Sequence, residues 1–113
     1  MISINSFRQV ALSFPEAVEE PHFEKISFRV AKKIFATLDV AKKQASIKLS
    51  ETDQDVFSAF DKTIIFPVPN KWGKQGWTYI NLSTVPKSMC VDALKTAYCE
   101  VAPKKFSSLL DKQ

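Results

Sequence analysis

The chain has 113 residues, 45% of them apolar and 12% aromatic, which suffices for one compact core and is expected to form a single domain over residues 1–113. No apolar run reaches the length of about 18 residues that a membrane-spanning helix needs, and residues 1–8 (MISINSFR) lack the basic-then-apolar order of a signal peptide, so the expected compartment is the cytoplasm. The net charge of +4 hides an uneven spread of −3 over residues 1–24, +6 over 25–48, −3 over 49–70 and +4 over 71–113.

Residues 3–14 predict a first helix, because Ile4, Phe7, Val10, Ala11 and Phe14 share one face; Ser3 suits its N-cap and Pro15 its stop. Glu16, Glu19 and Glu20 then read as a solvated acidic loop closed by Pro21. Three strands of a meander follow. Ile26, Phe28 and Val30 point inward from the first, Ile34, Ala36, Leu38 and Val40 from the second, Ile47 and Leu49 from the third. The two turns between them carry lysine pairs, Lys32 with Lys33 and Lys42 with Lys43.

Ser50 is the expected N-cap of a second helix, with Glu51, Asp53 and Asp55 near its positive end and Val56, Phe57 and Phe60 as its buried stripe. A strand over residues 63–66 and another over residues 77–82 flank a loop that holds both glycines, Gly73 and Gly76, and both tryptophans, Trp72 and Trp77. Only there can the backbone reach φ > 0 without strain, and Gly76, at the re-entry into a strand, is the position expected to need it. Beyond Val85 and Pro86, a helix of about sixteen residues is expected, lined by Cys90, Leu94, Ala97, Tyr98 and Val101 and stopped by Pro103. Cys90 and Cys99, nine residues apart on one helix, fall on opposite sides and cannot bridge within it. The fold class is therefore α+β, a twisted antiparallel sheet in the order α-β-β-β-α-β-β-α with helices on one face.

Chemistry-bearing motifs are sparse. His22 is the only histidine, and the chain has no P-loop, GxGxxG, CxxC or GxSxG pattern, so neither catalysis nor a metal nor a cofactor is expected. The outer sheet face offers more. Trp77 and Tyr79 alternate away from Thr78, Ile80 and Leu82, and Phe35 is expected to join them opposite Ile34 and Ala36. Rimmed by the turn lysines with Lys71 and Lys74, such a face could stack bases and meet phosphates; packing of the same aromatics into a small second core is the alternative.

The strings PHFE at residues 21–24, SFRV at 27–30 and KIFATL at 33–38 resemble the opening signature of the MmcQ/YjbR family. WGKQGWTYINL at 72–82 resembles its central motif, and AY at 97–98 with VAPK at 101–104 its closing one. The resemblance implies an α+β fold with a central antiparallel sheet, similar to the CyaY/frataxin-like layout and to a double-wing DNA-binding domain of a phage transcription factor. Members carry a DNA-binding description on that likeness. Ala31 stands where the family commonly has glycine, so another turn geometry is expected there, and Tyr98 replaces a frequent tryptophan as a buried aromatic.

Two functions remain open. In the first, a monomer binds DNA through Lys32, Lys33, Lys42, Lys43, Lys71, Trp72, Lys74, Lys104 and Lys105, although Arg8 and Arg29 are the only arginines available for base reading. In the second, a small ligand or a protein partner enters a cleft beside the Trp72–Trp77 loop. One continuous positive face favours the first and scattered lysines the second.

Overall fold

Six strands form one antiparallel sheet in the computed structural model, which describes residues 1–110. The elements are α1 (Ile4–Ser13), β1 (Val18–His22), β2 (Lys25–Val30), β3 (Lys33–Asp39), β4 (Gln44–Lys48), α2 (Glu51–Ser58), β5 (Ile65–Pro67), α3 (Lys71–Lys74), β6 (Trp77–Asn81), α4 (Lys87–Val101) and α5 (Lys104–Ser107). The strand order is β1-β2-β3-β4-β6-β5. Helix α4 packs on β3 and β4 and α1 packs on α4, so one sheet face carries the core. The expected α+β class holds. No helix among the described residues is long and apolar enough to cross a membrane.

The Ser3 hydroxyl accepts the Ser6 N–H at 3.1 Å and starts α1, which buries Phe7 and Ala11. Phe7 meets Phe28 of β2 edge-on, with ring centroids 5.8 Å apart. From α4 come Cys90, Ala93, Leu94, Ala97 and Tyr98, all buried, whereas Cys99 faces outward as nine helical steps require. Tyr98 does replace a core aromatic. Its ring lies against Phe14 and Phe35, and its hydroxyl donates to the Pro15 carbonyl at 2.6 Å. Burial, with smaller contributions from Cys99 and Glu16, pushes that hydroxyl's pKa up.

Five expectations need correcting, the first being Val40, which lies beyond the end of β3 and is exposed where an inward position was expected. The acidic stretch at residues 16–21 is not a loop throughout, for Val18–His22 is strand β1. Its glutamates have partners: Arg8 donates from Nε and Nη2 to Glu19, both at 2.9 Å, and Arg29 Nε lies 3.4 Å from Glu20 Oε2. Glu19 also raises the Arg8 pKa, by hydrogen bonding first and by charge second. Pro21 is tolerated because β1 is an edge strand.

Phe35 is not on the outer face. A bulge between Phe28 and Arg29 pairs Phe28 with Ala36 and Arg29 with Ile34, leaving Phe35 as the extra residue. Phe35 and Ala36 therefore both enter the core, and Ile34 turns outward instead. On α2 the expected stripe is wrong as well: Val56 and Phe60 are 65% and 51% exposed, Phe57 is half-buried, and Gln54 is the buried residue. The Ser50 cap is present, accepting the Asp53 N–H at 3.1 Å. Lastly, the Ala31-Lys32 turn does use left-handed backbone, with φ of 51° and 69°. Two positive values in a two-residue hairpin make a type I′ turn, which glycine would fit without strain.

Candidate functional site

On the sheet face away from α1 and α4 lies a trough of about 420 Å³. The strand registers set its course. His22 pairs with Lys25 near the Asp39–Gln44 end of the sheet, whereas Trp77 pairs with Lys48 at the opposite end. The trough runs diagonally between these corners. Thr37 and Ser46 face each other across β3 and β4 on its floor and hydrogen-bond to one another, and Tyr79 follows on β6. Ile34 completes the floor because the bulge turned it there.

The far wall is the segment from Pro67 to Trp77. Asn70 Oδ1 accepts the Trp72 N–H at 2.8 Å and caps α3, a single turn that leaves Trp72 49% exposed. Two glycines fix this wall. A Cβ on Gly73 would sit 1.9 Å from the Val68 carbonyl oxygen, so side chains are excluded by contact. Gly76 has φ of 106°, and a Cβ there would meet the Leu49 carbonyl oxygen at 1.8 Å. Gln54 holds the wall from beneath: its Nε2 donates toward Gly73 O at 2.9 Å, Thr78 Oγ1 at 3.1 Å and Trp77 O at 3.2 Å.

The near wall is the β1–β2 hairpin. His22 and Lys25 line the trough, and Phe23 stands at the tip with 95% of its surface exposed and its ring edge-on to His22 at 5.0 Å. Its φ of 59°, with Glu24 at ordinary φ, makes a type II′ turn whose first position favours glycine. An exposed aromatic is thus held in strained backbone beside the trough.

A family model described as YjbR matches residues 12–100. The chain belongs to the YjbR family. The solved structures include a similar fold in the Deinococcus radiodurans protein DR2400, described as a DUF419 domain. It is 22% identical, covers 99% of this chain and 87% of its own, and superposes with a TM-score of 0.79. No curated protein matches the chain.

In this YjbR domain the proposed nucleic-acid residues do not gather in one place. Lys32 and Lys33 lie at the β2–β3 turn, Lys42 and Lys43 at the β3–β4 turn. Those turns close opposite ends of β3, whose seven residues span about 20 Å at ~3.3 Å each. Lys71, Trp72 and Lys74 belong to α3 at the Lys32 end, and Lys71 Nζ lies 5.6 Å from the Trp72 ring centroid. Lys104 and Lys105 are on α5, against α4 on the helix side. Of the nine, Trp72 alone lines the trough. Sequence reading missed His22, Lys25, Ile34, Thr37, Ser46 and Asn70 as lining residues, and Gln54 as their support. For Thr37 and Ser46 the signal was present, since both alternate with buried neighbours on strands.

Proposed function

We propose that this YjbR domain is a non-catalytic binding module, acting as a monomer in the cytoplasm, and that its ligand occupies the trough on the open sheet face. The observation that carries this reading is the lining itself: Trp72, Trp77 and Tyr79 converge there with His22, Lys25, Asn70 and two hydroxyls, and no carboxylate takes part. A concave apolar surface with a few convergent polar groups is the usual form of a ligand site. The hydroxyls of Thr37 and Ser46 bond to each other, not to a base, which supports binding over catalysis. Indole serves as a neutral aromatic probe. Titrated into ¹⁵N-labelled protein, it is expected to shift the backbone amides of Ser46, Asn70 and Tyr79 together with the tryptophan indole N–H signals. Shifts confined to other faces of the molecule would count against the trough.

Sequence-independent DNA binding is the second reading, favoured by the state of the lysines. Among the described residues the salt bridges are those of Arg8 and Arg29, and Lys32, Lys33, Lys42 and Lys43 are all exposed. Because these pairs lie about 20 Å apart, they would contact separate stretches of phosphate. If all four engage, log K should fall against log salt with a slope of about −3 to −4, and Lys32→Glu with Lys42→Glu should flatten it by about two. Fluorescence anisotropy with a labelled duplex across a salt series measures this, and no binding at low salt sinks it.

A further inference from the structure

We propose that the trough takes a nucleotide unit, with a planar base against Trp72, Trp77 and Tyr79 and its phosphate at Lys25 and His22. This names the ligand class of the trough reading and rests on it. The lining is rich in donors and free of acids. Lys25 and His22 stand on the near wall; the Asn70 amide, its oxygen turned to the Trp72 N–H, has its NH₂ to offer a ligand. Carboxylates on the same sheet face are engaged elsewhere. Glu20 faces Arg29, and Asp39 Oδ1 accepts the Lys42 N–H at 3.1 Å. An anion bearing many acceptors meets two basic side chains and an amide NH₂ here, whereas a cation meets no carboxylate in the lining.

Shape narrows the class. Three aromatic side chains line the trough, and stacking on aromatic rings takes any base without regard to identity. A volume of about 420 Å³ accommodates one base with its sugar and phosphate. A duplex hides its base faces by stacking, so the ligand is either a free nucleotide or an unpaired base of a single strand. For a strand, the lysine pairs at the two ends of β3 would lie along the phosphates that continue beyond the trough. Phe23 adds a second aromatic to the near wall's edge: its exposed ring lies edge-on to the lining residue His22 at 5.0 Å, held in left-handed backbone at a strain cost.

The test uses the full chain with adenosine monophosphate, adenosine, a single-stranded hexadeoxyadenylate and indole as probes, read by tryptophan fluorescence and amide shifts. Adenosine monophosphate is expected to shift the same trough signals as indole and to bind about tenfold more tightly than adenosine, as a charge-assisted contact implies. Lys25→Gln should weaken adenosine monophosphate binding more than adenosine binding and so shrink that difference; an undiminished difference would overturn the phosphate's place on the near wall. Phe23→Gly, which relieves strain and so raises the melting temperature, should still weaken nucleotide binding. If the hexamer binds more tightly than the monophosphate and Lys33→Gln or Lys42→Gln lowers its affinity alone, the source is a single strand; equal affinities identify a free nucleotide. Indole in the trough without any shift from either nucleotide probe overturns the ligand class and leaves the site standing. Silence from all four probes removes both.

Discussion

Replacing Gln54 with leucine removes the amide that ties α2 to the far wall of the trough. Two N–H bonds serve three acceptors at 2.9, 3.1 and 3.2 Å, so about two hydrogen bonds are lost, each worth ~0.5–1.5 kcal/mol net. None of the acceptors is orphaned. Gly73 O still accepts the Gly76 N–H, Trp77 O the Val68 N–H, and the Thr78 hydroxyl donates to Gly76 O. The full penalty for a buried unsatisfied group is thereby avoided, and leucine is close enough in volume to leave no large cavity. The expected loss is about 1–3 kcal/mol, or roughly 5–15 °C in melting temperature for a domain near this size. Urea unfolding followed by tryptophan fluorescence suits the assay, because Trp72 and Trp77 both lie in the affected wall. Gln54→Ala adds a cavity and should lose more than Gln54→Leu. A Gln54→Leu midpoint equal to that of the unmodified protein would refute the latch and assign the wall's position to the two glycines alone.

Gly76→Val should lose at least about 3 kcal/mol, since a β-branched residue must adopt φ of 106° against the Leu49 carbonyl; an unchanged thermal midpoint contradicts this. Ala31→Gly should gain about 0.5 kcal/mol, the relief of left-handed strain less glycine's greater loss of chain entropy, and a lower midpoint would refute the turn assignment. Cys99 should react with a thiol reagent in the native protein while Cys90, buried with its pKa pushed up to about 12, reacts only on unfolding. Because that folded value lies above the ordinary thiol value of about 8.5, the contribution of Cys90 to stability is full below it and declines as pH rises toward 12. Cys90→Ala should therefore flatten the alkaline fall in unfolding free energy between pH values of about 8 and 10, measured in urea.

Much of the fold could be read directly because one face of each element is buried. Ser3 and Ser50 announced their helices, and β4 and β6 alternate without interruption, so Ile47 and Ile80 pointed inward as their positions require. The acidic stretch was opaque for a different reason. An edge strand needs only one bonded side, so β1 could carry Pro21 and two glutamates, a composition that also describes a solvated loop. On α2, apolar spacing pointed to Val56 and Phe60, yet the face that meets the loop needs a donor for backbone carbonyls. Gln54 supplies it, and hydrophobic periodicity cannot register an amide used in that way.

The trough was the least legible part, and the bulge in β3 explains why. Strict alternation puts Ile34 and Ala36 on one face and Phe35 on the other. One unpaired residue breaks that parity, sending Phe35 into the core against Phe14 and Tyr98 and freeing Ile34 for the outer floor. Had Phe35 kept its expected side, a large ring would stand on the floor beside Thr37 and crowd the space between Lys25 and Trp77. The same irregularity thus fills the core and opens the trough. A sequence pattern fixes parity only between irregularities, and this one is set by long-range packing: the Phe35 ring finds two aromatic neighbours contributed from residues 14 and 98, far from it along the chain. The trough is for that reason a product of the tertiary fold, assembled from five strands with the loop and the short helix α3 that precede β6, none of which carries the site alone.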